Sequence, residues 1–245
     1  MNLNICHLYP DIMNFSGDHG NVTFLEKRLL WREMEVSVTL NPIGMRRDLS
    51  AFDLFFIGGG KHTHTSLIED LQAIASELRS LIDDGKVFLT ISEGFELMAY
   101  EFTSSAGIST QLTGILDMKV EAKTDRAVGN CAYEFSDDSL STTIIAFENH
   151  SPSLILGSEL TPLARIAVGE GNRTGDSSEG VRYKNFYGCH GHGPLLSKNP
   201  AFADFLLKKA LERKYGAASL PPLDDSFELS ARNVMLKGMK LREVD

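Results

Sequence analysis

Short apolar runs alternate with amphipathic segments over the first hundred residues of the chain. Apolar and β-branched residues cluster in runs that predict strands at 3–9, 35–40, 53–57 and 86–91. The run at 53–57 leads into three consecutive glycines, as expected for a strand buried on both faces that ends in a loop. The alternation predicts an α/β fold, with a mostly parallel central sheet flanked by helices.

Two helices are predicted between these strands from apolar residues that recur at spacings of three and four. The first covers 22–34. The second covers 67–82 and keeps the pattern throughout. Ser66 and Glu69 predict a capping box at the start of the second helix, and Gly85 predicts its C-terminal end.

Beyond residue 105 the pattern changes to short β-like runs separated by Gly, Ser, Asp and Asn. We expect these runs, at 115–122, 131–135, 142–147 and 166–168, to form antiparallel strands and hairpins that extend the sheet. The segment 181–189 leads into His190 and His192. A further helix is predicted at 200–215. The sequence therefore predicts one domain at 1–215 and a C-terminal tail at 216–245 that forms one extra helix docked on it.

Composition and charge exclude several classes of function. The chain has 245 residues and a net charge of -9, without a cluster of basic residues, so we expect no binding to nucleic acid. No apolar run approaches the roughly 20 residues of a membrane-spanning helix, and the first residues lack a signal-peptide pattern, so we expect a cytoplasmic protein. Three cysteines without metal-ligand spacing predict neither disulfides nor a metal site, and no cofactor motif is present.

The leading candidate for chemistry is Ser92, at the bend after the strand at 86–91. A sharp strand-to-helix turn presents a hydroxyl at the C-terminal edge of the sheet, beside backbone N–H groups that can stabilise an oxyanion. The structural alternative is an ordinary helix N-cap, a common role for serine. Gly59 and Gly60 follow a buried strand, which makes them candidates for the second oxyanion-hole donor, although glycines in tight turns are common. The run fits neither a P-loop nor a dinucleotide-binding motif.

His192 and Arg126 are the other candidates. His192 lies between two glycines at the end of a predicted strand, where a general base for a nucleophile could stand. His190 and His192 could also be ordinary loop residues, and no third ligand of recognisable spacing supports a metal site. Arg126 could bind a substrate carboxylate through its guanidinium fork, although an arginine in a loop is usually only solvated.

Several separated motifs resemble the cobyric-acid-synthase-type (CobB/CobQ) class I glutamine amidotransferases, and within them most closely the stand-alone subunits of lipid II isoglutaminyl synthases. The resemblance covers the chain from its first strand to at least residue 215. It rests on motifs in the same order, which are Leu-Tyr-Pro-Asp at 8–11, Asn14, Gly-Asp-His-Gly-Asn at 17–21, Phe-Ile-Gly-Gly-Gly at 56–60, the bend at 90–99, Arg126 with Gly-Asn at 129–130, Phe-Glu-Asn-His at 147–150, His-Gly-Pro-Leu-Leu at 192–196 and Lys-Asn-Pro at 198–200. It implies a single-domain class I glutamine amidotransferase-like fold.

The resemblance implies a glutaminase half-reaction with L-glutamine as the substrate. A cysteine at the bend attacks the side-chain amide, His192 activates it, and Arg126 binds the α-carboxylate. The backbone N–H groups of Gly59, Gly60 and Glu93 form the oxyanion hole. Ammonia passes to an ATP-dependent Mur-ligase-type partner subunit in a heterodimer, which amidates the D-glutamate of lipid II in peptidoglycan biosynthesis. A corrinoid-like acid is the alternative acceptor.

The bend departs from this family pattern. The family has Cys-Gly-Gly-Tyr-Gln, whereas this chain has Ser-Glu-Gly-Phe-Glu at 92–96. Serine is a far poorer nucleophile than cysteine beside a lone histidine, which places turnover in question. Many class I enzymes have a His-Pro-Glu motif, whose glutamate orients the catalytic histidine. Here His192 is followed by Gly-Pro, so this acid is missing locally, and a partner chain could supply it. Three hypotheses remain: a glutaminase subunit, a non-catalytic scaffold or regulatory subunit of the same ligase complex, and a Ser-His hydrolase on the same fold.

Overall fold

Two β-sheets and six α-helices make up the part of the chain that the computed structural model describes, residues 1–60, 65–173 and 175–242. The elements of the N-terminal half are β1 (Asn2–Leu8), α1 (His19–Leu30), β2 (Glu35–Asn41), β3 (Leu54–Ile57), α2 (Thr65–Ala73), α3 (Ala75–Asp83), β4 (Val87–Ile91) and α4 (Glu93–Glu96). No helix within the described ranges is long and apolar enough to cross a membrane.

The C-terminal half contains mostly strands and two helices. Its elements are β5 (Glu101–Thr103), β6 (Ser109–Gln111), β7 (Met118–Asp137), β8 (Leu140–Leu156), β9 (Ala164–Val168), β10 (Ser178–Glu179), β11 (Val181–Tyr183), β12 (Phe186–Cys189), β13 (Gly191–His192), α5 (Pro200–Tyr215) and α6 (Ser226–Gly238). The predicted helix at 200–215 is confirmed with its bounds.

The first sheet has the strand order β11-β12-β4-β3-β1-β2, and all of its neighbouring pairs are parallel except β11 with β12. Alternate residues of its buried strands enter opposite halves of the core. Leu54 and Phe56 pack on the side of α1 and α5, whereas Phe55 and Ile57 pack on the side of α2 and α3. The predicted α/β architecture, with helices on both faces of a parallel sheet, is confirmed.

The antiparallel strands after residue 105 divide between the two sheets. β11 is an antiparallel strand of the first sheet, whereas the runs predicted at 115–122, 131–135, 142–147 and 166–168 lie in a second sheet built around the long β7–β8 hairpin. That hairpin joins runs predicted as separate strands, because polar positions along β7 and β8 face solvent and interrupt the apolar pattern. The second sheet meets the first where β12 is followed by β13, which pairs with β8.

The helix predicted at 67–82 is wrong as a single helix, because the chain breaks at Ile74 into α2 and α3. Ile74 has φ -112° and ψ 7°, outside the helical region. Ser66 lies within α2 and is not its cap. Gly85 ends the segment as predicted, with φ +81°, and its N–H donates to the carbonyl oxygen of Ile82.

Two buried arginines attach the C-terminal tail. The Arg28 guanidinium donates to Asp204 on α5 and to Asp225 just before α6, with N–O distances of 2.6 to 3.0 Å. Arg232 of α6 donates to the side chain of Asn199 at 2.6 Å. The predicted extra helix is thus present as α6, and residues 243–245 of the predicted tail lie outside the described ranges.

Candidate active site

Ser92 lies at a strained bend between β4 and α4. Its φ of +49° with ψ of -122° lies in a region that residues other than glycine rarely adopt. Gly94 makes the close approach possible, because a Cβ there would lie 2.7 Å from the carbonyl oxygens of Ile57 and Gly58. The Ser92 side chain does not cap α4, so the ordinary N-cap explanation fails for this serine.

The Ser92 hydroxyl is buried, and it makes no hydrogen bond to any residue that the structure describes. Its backbone N–H donates to the carbonyl oxygen of Cys189 at 2.8 Å, which fixes the bend against the end of β12. The bend therefore has the backbone geometry of a nucleophile elbow, while its hydroxyl is not hydrogen-bonded to His192.

His192 is paired with an acid from the first loop of the chain. Its Nδ1 lies 3.2 Å from Oδ2 of Asp18, and both side chains are buried. A carboxylate only accepts hydrogen bonds, so Nδ1 of His192 is the nitrogen that carries the proton and donates to Asp18. Nε2 is thereby left as the nitrogen that can accept a proton, which is the arrangement that a general base requires.

Sequence reasoning missed Asp18 and allowed for a partner chain to supply this acid. Asp18 precedes His192 by 174 positions, so no local spacing connects the two residues. The available signal was the Gly-Asp-His-Gly segment after the first strand. In a parallel sheet such loops meet at the edge formed by the carboxyl ends of the strands. The loops after β1, β3 and β4 carry Asp18, Gly59 and Ser92, respectively, and His192 follows β12 as the last residue of β13.

The glycine loop after β3 packs against the imidazole of His192. A Cβ on Gly59 would lie 2.7 Å from Cε1 of His192, so the loop and the ring are in direct contact. The N–H of Gly59 donates to Oδ2 of Asp18 at 2.8 Å. The N–H of Gly60 donates to Oε2 of Glu93 at 3.1 Å. Two of the three predicted oxyanion-hole residues thus bind carboxylates of the chain, and the third, Glu93, supplies one of those carboxylates.

Arg126 lies on β7, next to an irregularity in its pairing with β8. Its Nε donates to Oδ1 of Asn149 at 2.7 Å, and its side chain is otherwise exposed. Arg126 lines a cavity of about 500 Å³ together with Glu148 and His150. The lining of this cavity consists of residues from 123–130, 148–151 and 168–171, so Ser92 and His192 lie outside it.

A buried set of histidines and carboxylates lies between the cavity and the elbow. The rings of His150 and His190 stack with centroids 3.8 Å apart. Nδ1 of His190 lies 3.2 Å from Oε2 of Glu179, and its Nε2 lies 3.7 Å from Oε1 of Glu96. His150 in turn contacts Glu148, which lines the cavity. The set therefore connects the helix after Ser92 to the wall of the cavity.

Burial dominates the protonation of this set. It lowers the pKa of His190 to about 3 and raises the pKa of Glu179 to about 7. Burial also raises the pKa of Glu96 well above its ordinary value, and Glu93 adds to the effect while Arg126 opposes it. At neutral pH His190 is therefore neutral. Among the described residues no group of three or more His, Cys, Asp or Glu side chains could hold a metal ion.

Comparison with known proteins identifies the family. The profile of the CobB/CobQ-like glutamine amidotransferase domain matches residues 4–200. The lipid II isoglutaminyl synthase (glutamine-hydrolyzing) subunit GatD of Staphylococcus aureus is 33% identical over 235 residues, covering 96% of this chain and 95% of that protein. The subunit of the same name from Streptococcus pneumoniae is 32% identical over 228 residues, covering 91% of this chain and 86% of that protein.

Solved structures share the fold. A glutamine amidotransferase from Thermotoga maritima superposes with a TM-score of 0.54 at 16% identity, over 97% of this chain and 94% of the other. The glutaminase domain of CTPS from Trypanosoma brucei superposes with a TM-score of 0.57 at 12% identity, over 90% and 96%. The structures establish the class I amidotransferase architecture, and the profile and sequence matches establish that the chain belongs to the CobB/CobQ-like glutamine amidotransferase family.

Proposed function

We propose that this chain is the glutamine amidotransferase subunit of a ligase complex that amidates lipid II. Support comes from similarity to two GatD subunits over more than nine-tenths of the chain. The observation that carries the proposal is the convergence of Ser92, His192 and Asp18 at one edge of the parallel sheet. The fold alone would not suffice, because one scaffold hosts many activities.

The proposed reaction is hydrolysis of the side-chain amide of L-glutamine. The nucleophile at position 92 attacks the amide carbon and gives its proton to Nε2 of His192. His192 passes that proton to the departing nitrogen, which leaves as ammonia, and water then releases glutamate from the acyl intermediate. Asp18 holds the imidazole in the tautomer that this sequence of transfers needs. Arg126 is proposed to bind the α-carboxylate, which requires it to approach the elbow from the neighbouring cavity.

The alternative is a non-catalytic subunit of the same complex. The Ser92 hydroxyl favours it, because an activated serine is hydrogen-bonded to its base and this hydroxyl bonds to none of the residues that the structure describes. The hydrogen bond from the N–H of Gly60 to the Glu93 carboxylate also favours the non-catalytic subunit, since this N–H is a proposed oxyanion donor. The same two observations argue against the Ser-His hydrolase hypothesis.

The proposed partner is an ATP-dependent Mur-ligase-type subunit that forms a heterodimer with this chain in the cytoplasm. Its role is to activate the D-glutamate carboxylate of lipid II, so that ammonia can displace the activated group. No cofactor or metal is proposed for this chain itself, because its part of the reaction needs only a nucleophile, a base and oxyanion donors.

The test is reconstitution with the Mur-ligase-type protein encoded in the same genome. Amidation of lipid II is measured with ATP and either glutamine or ammonium chloride, and glutamate release is measured in parallel. Glutamine-dependent amidation that is lost in His192→Ala supports the catalytic form of the proposal. Amidation with ammonium alone supports the scaffold. Failure of the two chains to bind, with no amidation from either nitrogen source, refutes the proposal.

A further inference from the structure

The side chain of Glu93 occupies the space beside the glycine loop. Its Oε2 accepts a hydrogen bond from the N–H of Gly60 at 3.1 Å. A Cβ on Gly59 would lie 3.2 Å from the same oxygen and 2.7 Å from Cε1 of His192. The carboxylate therefore lies in the narrow space where the loop faces the imidazole.

A carboxylate oxygen in this place resembles the oxyanion of a tetrahedral intermediate. Both are negatively charged oxygens that accept from a backbone N–H held by a rigid loop. The loop is rigid here because Gly58 and Gly60 pack against the chain at Ile12 and Met13, where a Cβ on either glycine would lie within 2.7 Å of a neighbouring atom. The donor that would stabilise negative charge during a reaction is thus already bound to negative charge.

The N–H of Gly59, a second proposed donor, offers no substitute. The N–H of Gly59 donates to Asp18, whose carboxylate also holds His192. Drawing that N–H toward a substrate would remove a hydrogen bond from a fully buried carboxylate, which is unfavourable. A glutamine carbonyl oxygen that entered the site would therefore meet the Glu93 carboxylate and would find no uncommitted donor at Gly59 or Gly60.

We propose that Glu93 is a built-in occupant of the oxyanion site and excludes the glutamine amide from the native chain. The inference rests on the proposed ligase complex and selects its non-catalytic form for the chain as it stands, with the block assigned to position 93 as well as to position 92. Restoring cysteine at position 92 alone then leaves the site closed. Removing the Glu93 carboxylate as well opens it.

The first experiment measures the contact without any reaction. Amide hydrogen exchange of Gly60 is followed by NMR in the native chain, in Glu93→Gly and in Glu93→Gln, with Glu101→Gln as the control for loss of a carboxylate elsewhere. We expect exchange at Gly60 to be about tenfold or more faster in Glu93→Gly, since a hydrogen bond to a charged group is lost. Glu101→Gln should leave it unchanged. Equal exchange in the native chain and Glu93→Gly overturns the proposal.

The second experiment measures access with the electrophilic glutamine analogue 6-diazo-5-oxo-L-norleucine, detected as added mass on the cysteine introduced at position 92. Ser92→Cys is compared with Ser92→Cys/Glu93→Gly, and Ser92→Cys/Glu93→Ala serves if the glycine weakens α4. We expect labelling at least about tenfold faster in a double variant that retains the native circular dichroism spectrum. Equal labelling of the single and double variants, or no labelling of either folded double variant, overturns the proposal. Labelling of the double variant without lipid II amidation in the reconstituted complex counts against the proposed function alone.

Discussion

Replacing Asp18 by alanine tests how the candidate base is held. The carboxylate is fully buried and accepts from the N–H of Gly59 at 2.8 Å and from Nδ1 of His192 at 3.2 Å. Asp18→Ala leaves both donors without their acceptor, and each such loss costs about 1–3 kcal/mol in a buried setting. We therefore expect the free energy of unfolding to fall by roughly 2–6 kcal/mol. Asp18→Asn keeps one acceptor oxygen and should lose about half as much.

The decisive measurement for Asp18→Ala is the tautomer of His192. In the native chain the proton is held on Nδ1, because the carboxylate can only accept. Without Asp18 that constraint is gone, and the ¹⁵N signals of the His192 ring should move toward those of a mixture of tautomers. Urea unfolding followed by circular dichroism gives the stability of the same samples.

Asp70→Ala is the matched control for this experiment. Asp70 is also a buried carboxylate, and it accepts from the hydroxyl of Tyr9 at 3.0 Å and from the N–H of Gly44 at 3.1 Å. Its loss should lower stability by a similar amount and leave the His192 ring unchanged. If the ring signals of His192 are the same in Asp18→Ala as in the native chain, the pairing of Asp18 with His192 is refuted.

Three further predictions concern stability, each measured by urea unfolding. Arg28→Met should cost about 3–5 kcal/mol, because Asp225 loses its Arg28 partner and Asp204 is left with Arg32. Arg165→Met, in an exposed pair, should change stability little, and similar losses in the two variants would contradict the role of burial. Gly94→Ala should lower the free energy of unfolding by more than about 2 kcal/mol, because the added Cβ would meet two carbonyl oxygens. Gly129→Ala, with open space around the added Cβ, should leave stability nearly unchanged. A Gly94→Ala variant as stable as the native chain would refute the packing of the elbow. Burial raises the pKa of Glu179 from 4.5 to about 7, so the folded chain holds a proton that the unfolded chain has released between these pH values. The free energy of unfolding of the native chain, measured relative to that of Glu179→Gln, should thus fall as the pH rises through this window, by up to about 1.4 kcal/mol per pH unit. If the stability of the two proteins changes with pH in the same way, the raised pKa of Glu179 is contradicted.

The parallel half of the fold could be predicted from the sequence because its signals are local. The strands β3 and β4 are continuous buried apolar runs, and α5 has its bounds marked by Pro200 at the start and Gly216 just past the end. Ile74 shows the limit of that reasoning. Its side chain fits the helical pattern and is buried, yet the backbone leaves the helix there, and periodicity of side chains does not report backbone angles.

The second sheet and half of the site could not be predicted in the same way. The β7–β8 hairpin has long stretches of half-exposed residues, so its apolar pattern is broken along its length. Local motifs predict Ser92, His192, Gly59 and Gly60 as site residues, and the structure brings the glycine loop against His192 and against Glu93 beside the bend. Asp18 enters the site through packing of one loop against another, and the occupation of the Gly60 N–H depends on a side-chain rotamer that no spacing encodes.

The crossing from β12 to β13 divides the site between the two sheets. Ser92 follows a strand of the first sheet, whereas His192 belongs to a strand of the second, and one residue, His190, joins the two. Glu179 holds this crossing, accepting from the backbone N–H of His190 at 2.7 Å. Because β13 pairs with β8, the backbone of the candidate base is part of the same hydrogen-bonded sheet as the β7–β8 hairpin. The relative placement of the two sheets therefore sets the alignment of His192 with the nucleophile position.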